Sequence, residues 1–142
     1  MMPTILLVDE DRAIRMICNH VLTGCGVDIL QAGGAHEAME VSNQYRGAID
    51  LLLSDAPRCG FSGAQLAVVL LRSRPAIRIL LMCSHGCDDL NPEWHCITKP
   101  FRLEVLASTV RECLLPCFSP ESNRRFKITG SSTLYGDKQT WT

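Results

Sequence analysis

The stretch "LLLSDAPRCG", residues 51–60, decides the fold, because an apolar run of the kind found inside proteins ends there on a carboxylate. Leu51, Leu52 and Leu53 are apolar enough for the centre of a sheet, whereas Asp55 resists burial unless another group compensates its charge. In open parallel sheets, functional side chains collect beyond the carboxyl ends of the strands. We therefore interpret Asp55 as part of a functional site at the end of a buried strand.

Short apolar runs alternate along the chain with segments of helical periodicity. The runs predict strands at 4–8, 27–30, 49–53, 77–82 and 95–97. The apolar spacing predicts helices over 14–22, 35–46, 63–73 and 103–114. Parallel strands need crossover connections, which helices usually supply. The alternation therefore predicts an α/β fold, with a doubly wound parallel sheet between two layers of helices.

Composition limits the classes of function. The chain has 142 residues, with 14 Lys and Arg against 15 Asp and Glu, so no overall charge attracts it to nucleic acid or to an anionic membrane. Its apolar runs are too short for a secretory signal or a membrane span, which favours a soluble cytoplasmic protein. Eight cysteines are scattered through predicted core elements, and in that compartment we expect reduced thiols.

The alternating pattern ends near residue 115. We divide the chain into a folded domain, 1–117, and a polar C-terminal tail, 118–142, that is too poor in apolar residues to build a core. The tail is mildly basic and too short for a helix-turn-helix unit, so we expect no direct DNA binding.

Acidic and basic side chains follow three of the predicted strands. Asp9 and Glu10 come after the first strand, Asp55 ends the third and Lys99 comes after the fifth. An acidic pair after a strand is also a common start of a helix. Three converging carboxylates, however, repel each other unless a cation intervenes. A hard divalent cation that takes oxygen ligands, such as Mg²⁺, would supply that charge together with Lys99.

Three motifs together resemble the response-regulator receiver domain of two-component signalling. They are "ILLVDED" (5–11), "DLLLSDAPRCGFSG" (50–63) and "TKPF" (98–101), within a resemblance that covers residues 3–115. The resemblance implies a flavodoxin-like sheet of five strands in the order 2-1-3-4-5. It also implies a signalling domain rather than an enzyme, in which Asp55 accepts a phosphoryl group from a histidine kinase or a phosphotransfer protein and signals onward through protein contacts.

The same resemblance assigns roles around the phosphoacceptor Asp55. Asp9, Glu10 and Asp55 would hold Mg²⁺ together with the backbone carbonyl of Pro57. Lys99 matches the lysine of the family, and the bond that follows it is a candidate cis peptide, since its next residue is proline.

The sequence departs from the receiver pattern near the fourth strand. Cys83 stands at the Thr or Ser switch position, and Ser84 follows it. A thiol is a poor hydrogen-bond donor, so either Ser84 substitutes or the switch is weakened. Cys96 stands at the aromatic switch position, and the stretch from Cys83 to Lys99 leaves room only for a shortened fourth helix. These departures favour one alternative, a degenerate receiver that acts as a phosphorylation-independent interaction module.

Two further hypotheses concern the cysteines. "HCITKPFR", 95–102, has the H-C-x5-R spacing of cysteine-dependent phosphatases. Such a phosphate cradle needs consecutive backbone N–H groups, and Pro100 removes one of them. A zinc cluster is the second hypothesis, although its spacing fits no common ligand pattern. Its candidate ligands are Cys83, His85, Cys87, His95 and Cys96.

Overall fold

The computed structural model describes residues 2–56, 63–84 and 93–115. Three predicted features fall outside these residues: the tail at 118–142, the Pro57 carbonyl and most of the stretch assigned to the shortened fourth helix. In the described part of the chain, no helix is both long enough and apolar enough to cross a membrane.

Strands and helices alternate along the described residues, as the sequence predicts, except between the last two strands, where residues 85–92 lie outside the described part of the chain. The five strands form one parallel sheet in the order β2-β1-β3-β4-β5, which confirms the predicted fold class and strand order. In chain order the elements are β1 Thr4–Val8, α1 Arg12–Thr23, β2 Asp28–Ala32, α2 Ala35–Gln44, β3 Leu51–Asp55, α3 Gly63–Ser73, β4 Arg78–Cys83, β5 His95–Thr98 and α4 Leu103–Cys113.

The sheet separates two apolar cores. Successive side chains of a strand point to opposite faces, so Ile5 and Leu7 of β1 enter one core, while Leu6 and Val8 enter the other. Helices α1 and α4 cover the first core, and helices α2 and α3 cover the second. β1, β3 and β4 are consequently buried on both faces, which explains their nearly continuous apolar sequences.

Local signals set the ends of α1. The Asp11 carboxylate accepts hydrogen bonds from the backbone N–H groups of Ala13 at 2.9 Å and Ile14 at 3.4 Å, which caps the first turn. After the helix, Gly26 adopts φ 81°, a left-handed conformation that favours glycine. Asp28 then begins β2 by donating its N–H to the Pro3 carbonyl at 2.8 Å.

The third strand extends further than its apolar residues indicate. Periodicity predicts a strand over 49–53, whereas β3 spans Leu51–Asp55, and Asp55 pairs with Met82 of β4. Apolar patterning reports side-chain burial, while pairing is a property of the backbone, so the two do not end at the same residue. Asp55 therefore belongs to the last residue pair between β3 and β4, and this pairing fixes its backbone at the carboxyl edge of the sheet.

Candidate functional site

Three of the predicted site residues meet at the carboxyl edge of the sheet. Asp9 directly follows β1, Asp55 ends β3 and Lys99 directly follows β5. The Lys99 Nζ atom donates to Asp9 Oδ2 and to Asp55 Oδ1, with both distances 3.0 Å. One ammonium group therefore bridges two carboxylates that lie far apart in sequence.

Backbone contacts hold these residues in place. The Asp9 N–H donates to the Ala32 carbonyl at 3.2 Å, and its Oδ1 accepts from the Asp11 N–H at 2.9 Å. The Lys99 N–H donates to the Cys83 carbonyl at 2.6 Å, and the Lys99–Pro100 peptide is cis, as the sequence predicts. These hydrogen bonds fix the backbone of Asp9 and of Lys99. Less conformational entropy is therefore lost when the carboxylate and the ammonium group come together.

Arg15 is a site residue that sequence reasoning missed. It lies near the start of α1, and its Nη1 donates to the Asp9 carbonyl oxygen at 2.6 Å. Gly33 packs beside the same guanidinium, and a β-carbon there would lie at an ordinary van der Waals distance of 3.4 Å from Nη1. No sequence motif distinguishes Arg15 from any other arginine on an amphipathic helix, and only the tertiary fold reveals its contact.

Burial makes the electrostatics of this group strong. The side chains of Asp9, Lys99 and Asp55 are 2%, 10% and 22% exposed. Burial raises the pKa of Asp9, although the Lys99 charge and the Asp11 N–H oppose that shift. Burial by itself lowers the pKa of Lys99, but attraction to Asp9 and Asp55 and their hydrogen bonds outweigh it, and the net shift is upward. Lys99 is therefore firmly cationic at neutral pH.

Two of the four predicted metal ligands are available at this edge. Asp9 and Asp55 present carboxylate oxygens, the donor type that Mg²⁺ prefers. The Glu10 side chain is exposed, and Pro57 lies outside the described residues. Within 2–56, 63–84 and 93–115, no group of three or more acidic, histidine or cysteine side chains is arranged to hold a metal ion. The two carboxylates fit Mg²⁺ chemically but form only part of the predicted ligand set.

The switch position at the end of β4 carries a buried sulfur. Cys83 is 4% exposed, and its Sγ lies 2.6 Å from Sγ of Cys96, while Ser84 is the next residue and is exposed. The two sulfur atoms are within hydrogen-bonding distance of each other, and either one could be the donor. The strand register explains why the sequence could not show this contact, since it depends on how β4 and β5 align.

The structure excludes the cysteine-phosphatase hypothesis. His95, Cys96 and Ile97 are buried in β5, whose backbone pairs with β4, so they form no loop of N–H groups around a phosphate. The Arg102 guanidinium lies instead 3.4 Å from the Glu104 carboxylate. For the zinc hypothesis, the described residues contain no cluster of ligands that could hold the ion. Two of the candidate zinc ligands, at positions 85 and 87, lie outside the described residues.

The class of protein is indicated by the fold and the site together. The sheet has the strand order of a receiver domain, and at its carboxyl edge a lysine bridges two carboxylates. No protein-family model matches the sequence. The chain is 28% identical over 117 residues to the sensor kinase CckA of Brucella abortus. The aligned residues cover 78% of this chain and 12% of that protein. It is 27% identical over 116 residues to the sporulation initiation phosphotransferase F of Bacillus subtilis, covering 78% of this chain and 92% of that one.

Solved structures share the same fold. A response regulator from Thermotoga maritima superposes with a TM-score of 0.69 at 23% identity, covering 80% of this chain and 98% of that one. A receiver domain from Clostridium thermocellum gives a TM-score of 0.70 at 17% identity, covering 80% and 94%. These findings confirm the receiver fold and the resemblance to response-regulator receiver domains. The chain spans only 12–29% of the length of four larger curated relatives.

Proposed function

We propose that this chain is a response regulator that accepts a phosphoryl group on Asp55 from a histidine kinase or phosphotransfer protein. The observation that carries the proposal is the Lys99 ammonium, 3.0 Å from one oxygen of Asp55 and 3.0 Å from one oxygen of Asp9. A carboxylate at a partly open edge, beside a fixed cation, is equipped for nucleophilic attack on phosphorus.

The chemistry requires little more than position and charge. An Asp55 carboxylate oxygen attacks the phosphorus, the phosphorus–nitrogen bond of a donor phosphohistidine breaks, and the imidazole leaves with a proton from solvent. Negative charge spreads over the equatorial oxygens during this transfer, and Lys99 is positioned to stabilise it. The 22% exposure of Asp55, against 2% for Asp9, favours Asp55 as the acceptor that a donor protein can reach.

Asp9 has a different role in this proposal. Its buried carboxylate, with Glu10, Asp55 and the Pro57 carbonyl, would hold Mg²⁺. A bound magnesium ion neutralises charge on phosphoryl oxygens. Arg15 holds the Asp9 backbone, and the Asp11 N–H orients the Asp9 side chain, so the carboxylate is fixed before any ion arrives.

For the hydroxyl of the switch position, we propose Ser84 rather than Cys83. The Cys83 sulfur is buried against Cys96, whereas Ser84 is exposed directly beyond β4. A serine hydroxyl also donates a stronger hydrogen bond to phosphoryl oxygens than a thiol does.

The test is phosphorylation by acetyl phosphate with Mg²⁺, followed by intact-protein mass spectrometry. We expect the mass of one phosphoryl group to be added to the wild-type chain, and we expect no addition to Asp55→Asn. The matched control is Asp28→Asn, which removes an exposed carboxylate at the start of β2, away from the site, and should leave the addition intact. Equal addition in Asp55→Asn would refute the assignment of the acceptor.

A second candidate function rests on the sulfur contact at the switch position. Because the Cys83 sulfur lies against Cys96, the edge of β4 differs from a strand that ends in a free hydroxyl. A receiver whose switch does not respond would act as a phosphorylation-independent interaction module. Absence of phosphoryl addition in the wild-type chain, with circular dichroism showing it folded, would favour this second function.

A further inference from the structure

One peptide unit joins the two acidic residues that follow β1. Its carbonyl group belongs to Asp9 and its N–H group belongs to Glu10, and a peptide unit is rigid and planar. A contact that fixes this carbonyl oxygen therefore fixes the end of Asp9 and the start of Glu10 together. Arg15 makes such a contact, because its Nη1 donates to the Asp9 carbonyl oxygen at 2.6 Å.

Arg15 lies where the electrostatics of a helix disfavour a cation. It is the fourth residue of α1, and its own N–H donates to the Asp11 carbonyl at 3.1 Å in the first turn. The N-terminal end of a helix carries a partial positive charge, which repels a nearby guanidinium. The hydrogen bond to the Asp9 carbonyl offsets this repulsion, and it holds the side chain against the turn between β1 and α1.

The turn between β2 and α2 also borders the guanidinium. The β-carbon position of Gly33 lies 3.4 Å from Nη1 of Arg15 and 3.3 Å from Oε1 of Glu37. The Gly33 N–H donates to that same Glu37 oxygen at 2.5 Å. A carboxylate of α2 thus lies near the Arg15 charge and partly compensates it. The guanidinium is therefore placed by two neighbouring turns at the carboxyl edge of the sheet.

We propose that Arg15 is a positioning residue for the acidic pair, which directs Asp9 and Glu10 towards one divalent cation by fixing the peptide unit between them. The Asp9 side chain has further anchors in the Asp11 N–H and the Lys99 ammonium, whereas the Glu10 side chain is exposed. Groups that orient metal ligands typically change metal affinity by about 10- to 100-fold. This inference rests on the proposed function, since it takes these two residues as magnesium ligands.

The charge of Arg15 and its hydrogen bond predict opposite effects on the affinity for Mg²⁺. A guanidinium beside the site repels a divalent cation, so removal of the charge alone would tighten binding. Removal of the hydrogen bond frees the peptide unit between Asp9 and Glu10, which would weaken binding. The direction of the change in an Arg15 variant therefore separates positioning from simple electrostatics.

Calorimetric titration of the full chain with MgCl₂, without a phosphodonor, is the test. We expect Arg15→Met, which keeps a long stem but removes the donor, to raise the Kd for Mg²⁺ about tenfold. Arg15→Lys keeps a cationic donor and should recover most of the affinity. Arg12→Met is the matched control, because it removes the same charge from an exposed position of α1 and should not raise the Kd. A Kd in Arg15→Met equal to or below that of the wild-type chain would overturn the proposal.

The magnesium dependence of phosphorylation by acetyl phosphate supplies a second measurement, which a merely structural role would not move. In Arg15→Met the Mg²⁺ concentration that gives half the maximal initial rate should rise about tenfold, while the rate at saturating Mg²⁺ should stay within about twofold of wild type. A lower saturating rate with an unchanged Mg²⁺ requirement would contradict the proposal.

Failure of the proposed function would give a different result. A wild-type chain that binds Mg²⁺ but gains no phosphoryl group would count against the proposed function, and the comparison of Kd values would still decide the role of Arg15. A wild-type chain that is folded by circular dichroism but takes up no Mg²⁺ would overturn both the magnesium site and the role of Arg15.

Discussion

His95 should make the stability of this fold fall as the pH is lowered. It lies in β5 and is 1% exposed, and burial followed by the nearby Arg78 charge lowers its pKa to about 4 from an ordinary value of 6.5. Above pH 6.5 the side chain is neutral in both the folded and unfolded states. Below that pH the unfolded chain binds a proton that the folded chain excludes, so stability is lost as the pH falls from 6.5 towards 4.

The size of the effect follows from the two pKa values. A shift of one pKa unit is worth about 1.4 kcal/mol, so the fully developed cost below pH 4 is about 3 kcal/mol. At pH 5.0 the unfolded His95 is almost entirely protonated and the folded His95 is largely neutral, which makes the cost there about 2 kcal/mol.

Urea denaturation of wild-type protein and His95→Leu, in reductant at pH 7.5 and at pH 5.0, measures this cost. Between the two pH values we expect the free energy of unfolding of the wild-type chain to fall by about 2 kcal/mol more than that of the variant. Groups other than His95 titrate in both proteins and cancel in the comparison. His20→Gln removes an exposed histidine and serves as the control. Equal losses in wild type and His95→Leu would refute the reasoning.

The remaining predictions concern the site and the far end of the sheet. Lys99→Met should lower the initial rate of phosphoryl addition by about 100-fold, since it removes the cation beside the acceptor, whereas Arg102→Gln should not change the rate. Arg74→Ala should lower the free energy of unfolding by about 2 kcal/mol in urea titrations, because Arg74 donates to the Ser42 hydroxyl and to three carbonyl oxygens after and within α2. An exposed neighbour, Arg72→Ala, should leave that value nearly unchanged, and a larger loss there would contradict the assignment.

The fold could be predicted from the sequence because it depends mainly on the periodic spacing of apolar residues. Strands buried on both faces require continuous apolar runs, and amphipathic helices must cover them, so the alternation itself predicts a parallel sheet. The ends of elements are less predictable, as the extension of β3 to Asp55 shows, because a polar residue can still pair through its backbone.

The site was predictable only where a residue type and a strand end coincide. Asp9, Asp55 and Lys99 each follow or end a strand, and their convergence follows from the sheet topology. The Arg15 contact and the Cys83–Cys96 contact depend on side-chain direction and on strand register. Neither property leaves a trace in the local sequence.

The strand order also explains why a lysine occupies position 99. β4 lies between β3 and β5, and β1 lies one strand beyond β3, so Lys99 begins about 10 Å or more from both carboxylate-bearing strands at roughly 4.8 Å per strand. A short side chain at that position would leave the buried Asp9 carboxylate without a cation, and unpaired buried charge is strongly destabilising. The long stem of lysine spans the gap while only 10% of the side chain remains exposed. The charge that stabilises the acidic pair in the resting protein is thus the same charge that a phosphoryl group on Asp55 would meet.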